Sequence, residues 1–198
     1  MANDYRFCPA CASGLLPTEQ LEDGGIKTRL RCPACNWTHW NNPTPVLAAV
    51  IECADQGGQV LLARNAAWSG RMFALITGFM EAGETPEEGI SREVAEETSL
   101  EVLQLKLIGV YDFQRMNQII IAYHALARGE VRLSPELAEY KLFAPTEIYT
   151  ATNTLSLHDA LPIWVYDFQR MNQIIIAYHA LARGEVRLSP EQIGRAHV

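Results

Sequence analysis

Apolar and polar positions along this chain alternate or run together as they do in strands, except in one stretch with helical punctuation. "VLAAVIEC" (46–53) is continuously apolar, "ADQGG" supplies a turn, and "QVLLAR" (59–64) is a second apolar run, so a hairpin is predicted there. "MFALITGFM" (72–80) has strand composition up to Gly78. "LEVLQLKLIGVYDF", "QIIIAYHALA" and "YKLF" also read as strands. The exception is "GETPEEGISREVAEETS". There Thr85 is suited to be the N-cap, Pro86 the first helical residue and Glu88 the reciprocal partner of a Thr-x-x-Glu capping box. Further upstream, "LEDGG" marks a hairpin tip, "IKTRLRC" a returning strand and "NNPTP" a linker with turn chemistry. Strands on both sides of one central helix favour a mixed α/β (α+β) sandwich over a parallel doubly wound sheet.

At 198 residues, 48% hydrophobic and 20% charged, the chain reads as a soluble globular domain with room for a small appendage. "MANDYRFCPA" contains no apolar signal core, and no run of 18 apolar residues exists, so a cytoplasmic, reducing location and no membrane partner are expected. The net charge of −7 argues against nucleic acid as the main partner.

In a reducing compartment, five cysteines are not expected to form disulfides. Four of them fall in two "CPAC" turns, Cys8 with Cys11 and Cys32 with Cys35. Each turn presents two thiolates, and two such turns at this separation match the spacing of a zinc ribbon over residues 5–40. Four cysteines close the coordination shell, which makes the expected Zn2+ structural, and a unit this small needs the metal to fold. His39 is then a spare, and Cys53, in an apolar strand, is a core residue.

The 27 residues "VYDFQRMNQIIIAYHALARGEVRLSPE" occur at 110–136 and again, unchanged, at 165–191. Natural repeats drift, and two units do not make a solenoid. The flanks "TEIYT", "TLSLHDALPI" and "QIGRAHV" back-translate into sequences resembling short-read sequencing adapters. Residues 146–198 are therefore expected to be an adapter and duplication artefact, with the natural C-terminus missing after about residue 145 and no role for Glu191.

The helix carries the chemistry. Glu93, Glu96 and Glu97 are spaced by three and four, which places them within an arc of about 100°, with Arg92 beside Glu96. Ile90 and Val94 mark the neighbouring apolar stripe. Like charges at these spacings cost roughly 0.2–0.5 kcal/mol each, and acids near a helix C-terminus oppose the macrodipole. Glu87 and Glu88 sit at the favourable end and need no special reason. A solvated acidic face is the plain reading. The sharper one is a divalent cation: hard Mg2+ or Mn2+ suits clustered carboxylates, waters and phosphate oxygens.

"GFMEAGETPEEGISREVAEETSL" resembles the Nudix box, Gly-x5-Glu-x7-Arg-Glu-U-x-Glu-Glu-x-Gly-U with U aliphatic. Gly78, Glu84, Arg92, Glu93, Val94, Glu96, Glu97 and Leu100 match in register, while Ser99 stands where the box has its last glycine. That glycine ends the helix in a left-handed conformation, so serine there should cost about 1 kcal/mol of stability rather than chemistry. With the ribbon included, the resemblance covers residues 5–145 and points to the zinc-ribbon group that holds NADH pyrophosphatases and plant FAD/ADP-ribose pyrophosphatases.

The resemblance implies a Nudix α/β/α sandwich over residues 44–145, cut short at its C-terminus. It implies a Mg2+-dependent pyrophosphohydrolase of nucleoside diphosphates linked to another moiety, such as ADP-ribose, FAD or NAD(H). Glu93, Glu96 and Glu97 would hold the metal with the Gly78 carbonyl. Arg92 would orient the glutamates, and Glu84 would brace loop and helix through that arginine. "ELAEYKLF" resembles the E-I-A-D-x-x-W-F segment of NADH pyrophosphatases, which puts a further metal-binding role on Glu136, against the plainer reading of a loop-surface acid. The family often dimerises, so a homodimer is a candidate assembly. The S-Q-P-W-P-F-P stretch of NADH pyrophosphatases is absent from "LIGVYDFQRMNQIII", so the resemblance does not extend to NADH specificity. Phe73, Tyr111 and Phe113 have two readings, base-stacking or core, and Arg64 and Arg71 have two, phosphate contact or surface ion pair. The competing functional class is a non-catalytic module that senses a nucleotide or uses the ribbon to bind nucleic acid or protein.

Overall fold

A computed structural model describes residues 5–70 and 73–144. Arg71, the second copy of the duplication and Glu191 lie outside the described residues. Two compact units divide the chain, one reaching to Pro43 and including Arg115–Asn117, the other beginning at Thr44.

The first unit is a three-stranded antiparallel sheet of β1 (Leu16–Glu22), β2 (Gly25–Arg31) and β3 (Thr38–His39), in that order. Gly24 and Gly25, with φ of 89° and 115°, turn the chain between β1 and β2 where the sequence places the hairpin tip. Glu22 accepts from both Arg29 and Arg31 across this hairpin. Among the described residues, its buried cluster is Cys8, Leu15 and Cys32, with Leu30 and Trp37 packed on it. So small a core does not hold a fold alone. His39 takes no part in the thiol set; its ring lies 4.5 Å from that of Tyr5.

The second unit contains β4 (Thr44–Cys53), β5 (Gln59–Asn65), β6 (Ile76–Phe79), α1 (Pro86–Thr98), β7 (Glu101–Phe113), β8 (Gln118–Arg128) and β9 (Leu137–Phe143). The sheet runs β7-β8-β4-β5-β9, with β6 paired to β4. It is mixed, as expected: β4 and β8 are parallel, and the other pairings are antiparallel. The hairpin read from 46–53 and 59–64 is shorter than the sequence suggests. β4 pairs with β5 only over Ile51–Cys53, because β6 takes the same edge along Val46–Ala49.

Both faces of β4 are covered. Leu47, Ala49 and Ile51 pack with Ile90 and Val94 of α1, while Val46, Ala48 and Val50 pack with Val60, Leu62 and Phe113. Double burial explains the unbroken apolar run of "VLAAVIEC". Burying Ile90 and Val94 contributes about 1.5–3 kcal/mol apiece to docking the helix. Phe113 belongs to the second cluster, with Phe73 and Tyr111 packed against it, so all three take the core reading. Cys53 is buried among the α1-facing residues. Among the described residues, no helix is long and apolar enough to cross a membrane.

Local signals set both ends of α1. The Thr85 side chain accepts from the Glu88 amide and the Glu88 carboxylate accepts from the Thr85 amide, closing the capping box. Ser99 follows the last turn at φ 60° and ψ 16°, the left-handed geometry that suits glycine.

Candidate functional site

The loop before α1 is locked to the helix by one arginine. Arg92 donates from Nε and Nη2 to the two carboxylate oxygens of Glu84, at 3.1 and 2.9 Å. Its Nη1 reaches Glu93 at 2.8 Å and Glu96 at 3.1 Å, and Nη2 also meets the Phe79 carbonyl. Glu84 in turn accepts from the Glu81 amide at 2.6 Å. A two-pronged guanidinium–carboxylate pair fixes orientation as well as distance. The Arg92 guanidinium and the Glu81 amide hold the Glu84 carboxyl below the usual range. Glu84 and Arg92 therefore tie the end of β6, the loop and the helix together.

Glu97 sits differently. It is half-buried, and among the described residues no cation pairs with it. Burial pushes its carboxyl up to about 7, and the charges of Glu93, Glu136 and Glu96 add to the shift. Glu136 arrives from a distant stretch of chain. The Arg132 amide donates to the Thr98 carbonyl at 2.9 Å and the Ser134 amide to the Glu97 carbonyl at 3.0 Å, so this segment lies along the end of α1. The Glu136 carbonyl then accepts from the Ala66 amide at 2.8 Å. Glu136 thus joins the charges that surround Glu97.

The four acids share a region without converging on a point. Among the described residues, the cysteines are the one set of three or more such ligands whose donor atoms lie within 4.8 Å of one another. Glu93 and Glu96 are turned onto Arg92 instead. Hydrated Mg2+ keeps several waters and takes only one or two carboxylates directly, so this spread of oxygen donors fits it.

Gly78 shows how tightly the site is built. A Cβ there would fall 1.9–2.2 Å from the carboxylate atoms of Glu93. Only a residue without a side chain lets Glu93 lie against the β6 backbone, where Gly78 pairs with Leu47. Gly78→Ala is therefore expected to displace Glu93 and lower divalent-ion affinity by about tenfold or more, measurable by calorimetric titration with Mg2+ or Mn2+. Unchanged affinity would separate Gly78 from the ion site.

In the first unit the thiols do converge. Cys8 and Cys35 sulfurs are 3.6 Å apart, Cys11 and Cys32 3.4 Å, and Cys11 and Cys35 3.5 Å. A Zn–S bond of ~2.3 Å gives tetrahedral S–S edges of about 3.8 Å, close to this arrangement. The two turns are built alike. The amide after each second cysteine returns to the first cysteine's carbonyl, from Ala12 to Cys8 and from Asn36 to Cys32. Ala12 and Asn36 both take positive φ, 60° and 61°. A donor set of four thiolates in this geometry fits a structural Zn2+.

The NUDIX domain model matches residues 43–163, more than half of the chain. The chain belongs to the NUDIX family. It is 28% identical over 139 residues to the NAD-capped RNA hydrolase NudC of Pseudomonas entomophila, covering 70% of this chain and 47% of that protein. It is 35% identical over 107 residues to the NAD-capped RNA hydrolase NudC of Mycobacterium tuberculosis, covering 52% of this chain and 34% of that protein. The chain thus spans less than half the length of these two relatives. Among solved structures, it is similar to a NUDIX hydrolase from Nitrosomonas europaea, with a TM-score of 0.61 and 27% identity over 72% of this chain and 80% of that one.

The NUDIX signature leaves two supporting residues unmarked. Gly89, in the middle of α1, would carry a Cβ 2.5 Å from both Glu84 Oε1 and Leu47 Cδ1. It lets the helix press onto β4 and the Glu84 brace at once. Tyr123 of β8 donates its hydroxyl to Glu87 at 2.7 Å, which holds the Glu87 carboxyl low and ties the first turn of the helix to the sheet. A glycine inside a good helix pattern is a sequence signal of close packing; the tyrosine has none. Arg64 takes the surface-pair reading, with Glu139 at 3.0 Å.

Proposed function

We propose that the chain is a Mg2+- or Mn2+-dependent Nudix pyrophosphohydrolase that cleaves the diphosphate of a nucleoside diphosphate linked to another moiety. One observation carries the reading. Glu97 lies half-buried with Glu93, Glu96 and Glu136 around it and no neutralising cation among the described residues. Such a cluster is costly without a bound ion and useful with one. Family membership supports the same reaction class.

Glu93, Glu96, Glu97 and Glu136 would hold the ion with the Gly78 carbonyl, one or two of the acids directly and the others through its waters. When bound, it would neutralise pyrophosphate charge and acidify a water for in-line attack. The protein does the rest. Glu84 and Arg92 fix the loop against the helix, Gly78 admits Glu93, and the segment ending at Glu136 closes the end of the site. A glutamate beside the attacking water takes its proton. Cys8, Cys11, Cys32 and Cys35 stay apart from the chemistry and hold the ribbon through Zn2+.

ADP-ribose, FAD and NAD(H) are the small substrates this reading favours. The names of the two relatives add NAD-capped RNA to the panel, although the net charge of −7 weighs against nucleic acid as the main partner. The test incubates the 198-residue chain with each compound at millimolar Mg2+ and follows nucleoside monophosphate release. A monophosphate product from at least one compound is expected. No product from any of them would leave the nucleotide-sensing or partner-binding alternative.

A further inference from the structure

The Nudix box match breaks at one place, Ser99, and that residue has a contact that glycine cannot make. Its Oγ donates to the Arg132 carbonyl at 3.2 Å. Arg132 is the first residue of the segment that lies on the end of α1. Its amide donates to the Thr98 carbonyl, the Ser134 amide donates to the Glu97 carbonyl, and the Ser134 hydroxyl accepts from the Glu136 amide at 3.3 Å. The end of α1 and residues 132–136 are therefore stitched together by a short ladder, and Ser99 supplies its only side-chain rung from the helix side among the described residues. Ser99 ends the helix in the left-handed conformation, φ 60°, that the box's glycine takes without strain, so serine bears a cost there that glycine does not. A strained conformation retained in spite of its cost points to a compensating role.

We propose that Ser99 is a positioning residue: its hydroxyl fastens the 132–136 segment to the end of α1 and so keeps Glu136 beside Glu97. This rests on the pyrophosphohydrolase reading, in which both acids serve one ion site.

Two substitutions separate this role from stability. Ser99→Gly removes the hydroxyl and relieves the left-handed strain, while Ser99→Ala removes the hydroxyl and keeps the strain. Melting temperature should rise in the first and fall in the second. Mn2+ affinity, read by calorimetry or by the electron-spin signal of free Mn2+ on the full chain, should fall about three- to tenfold in both. The Mn2+ concentration for half-maximal turnover should rise by the same factor. Affinity that follows melting temperature, or does not change, overturns the role of Ser99 alone. A wild-type chain that takes up no Mn2+ overturns the ion site itself and this proposal with it.

Discussion

Glu97→Gln is expected to lower turnover by about 10²–10³-fold or more while making the Mg2+-free protein more stable near neutral pH. The amide keeps the shape and removes the charge. The sign of the stability change follows from the carboxyl's position. Burial, then Glu93, Glu136 and Glu96, raise it from 4.5 to about 7. Between those values the folded chain keeps a proton that the unfolded chain has released. The stability this group contributes is therefore full below pH 4.5 and is lost as pH rises through about 7. Glutamine has no such loss. Because the group is partly solvated, the difference at a pH of about 8 is about 1 kcal/mol. Added Mg2+ should reverse the order, since an ion stabilises the state that binds it. Thermal melts from about pH 4 to about pH 8, with and without Mg2+, together with product release, check all three statements. Wild-type turnover in the variant would move the ion site elsewhere.

Loss of the ribbon's metal has the largest expected effect on folding. Elemental analysis should find one Zn2+ per chain. Cys8→Ser, or removal of the metal with a strong chelator, should unfold residues 5–43. Their core is three buried residues, and two of these are the cysteines Cys8 and Cys32. Apparent free energies on the order of 10 kcal/mol accompany structural zinc in comparably small folds, far beyond what Leu15 and Trp37 supply. The β4–β9 sheet has its own two clusters and should survive. Hydrogen exchange resolves the two units: β1 and β2 should lose protection, and β4 and β8 should keep it. Protected β1 and β2 amides in the metal-free protein would show that the ribbon does not need zinc.

What the sequence discloses here is what acts over a few residues. The capping box, the acidic face, the paired Cys-x-x-Cys turns and the Gly24–Gly25 tip are legible because each depends on spacing within one element. The limits of the β4–β5 hairpin are not, because β6 competes for the same edge from elsewhere in the chain. The placement of Glu136 against the end of α1 depends on carbonyls at Glu97 and Thr98 that no local pattern marks. The hydrogen bond between Tyr123 and Glu87 crosses from sheet to helix and is equally silent. Gly89 lies between the two cases: its oddity is visible, and its cause, Leu47 Cδ1 and Glu84 Oε1, is not.

Leu47 meets the signature twice, pairing with Gly78 through the backbone and filling the space above Gly89. The loop–helix is thus no portable cassette. Grafted onto another scaffold, it would keep its spacing and lose the floor that sets its depth, and a one-residue slip of β6 along β4 would point the wrong side chain at Glu93. A donor strand shaped like β4 would have to travel with it.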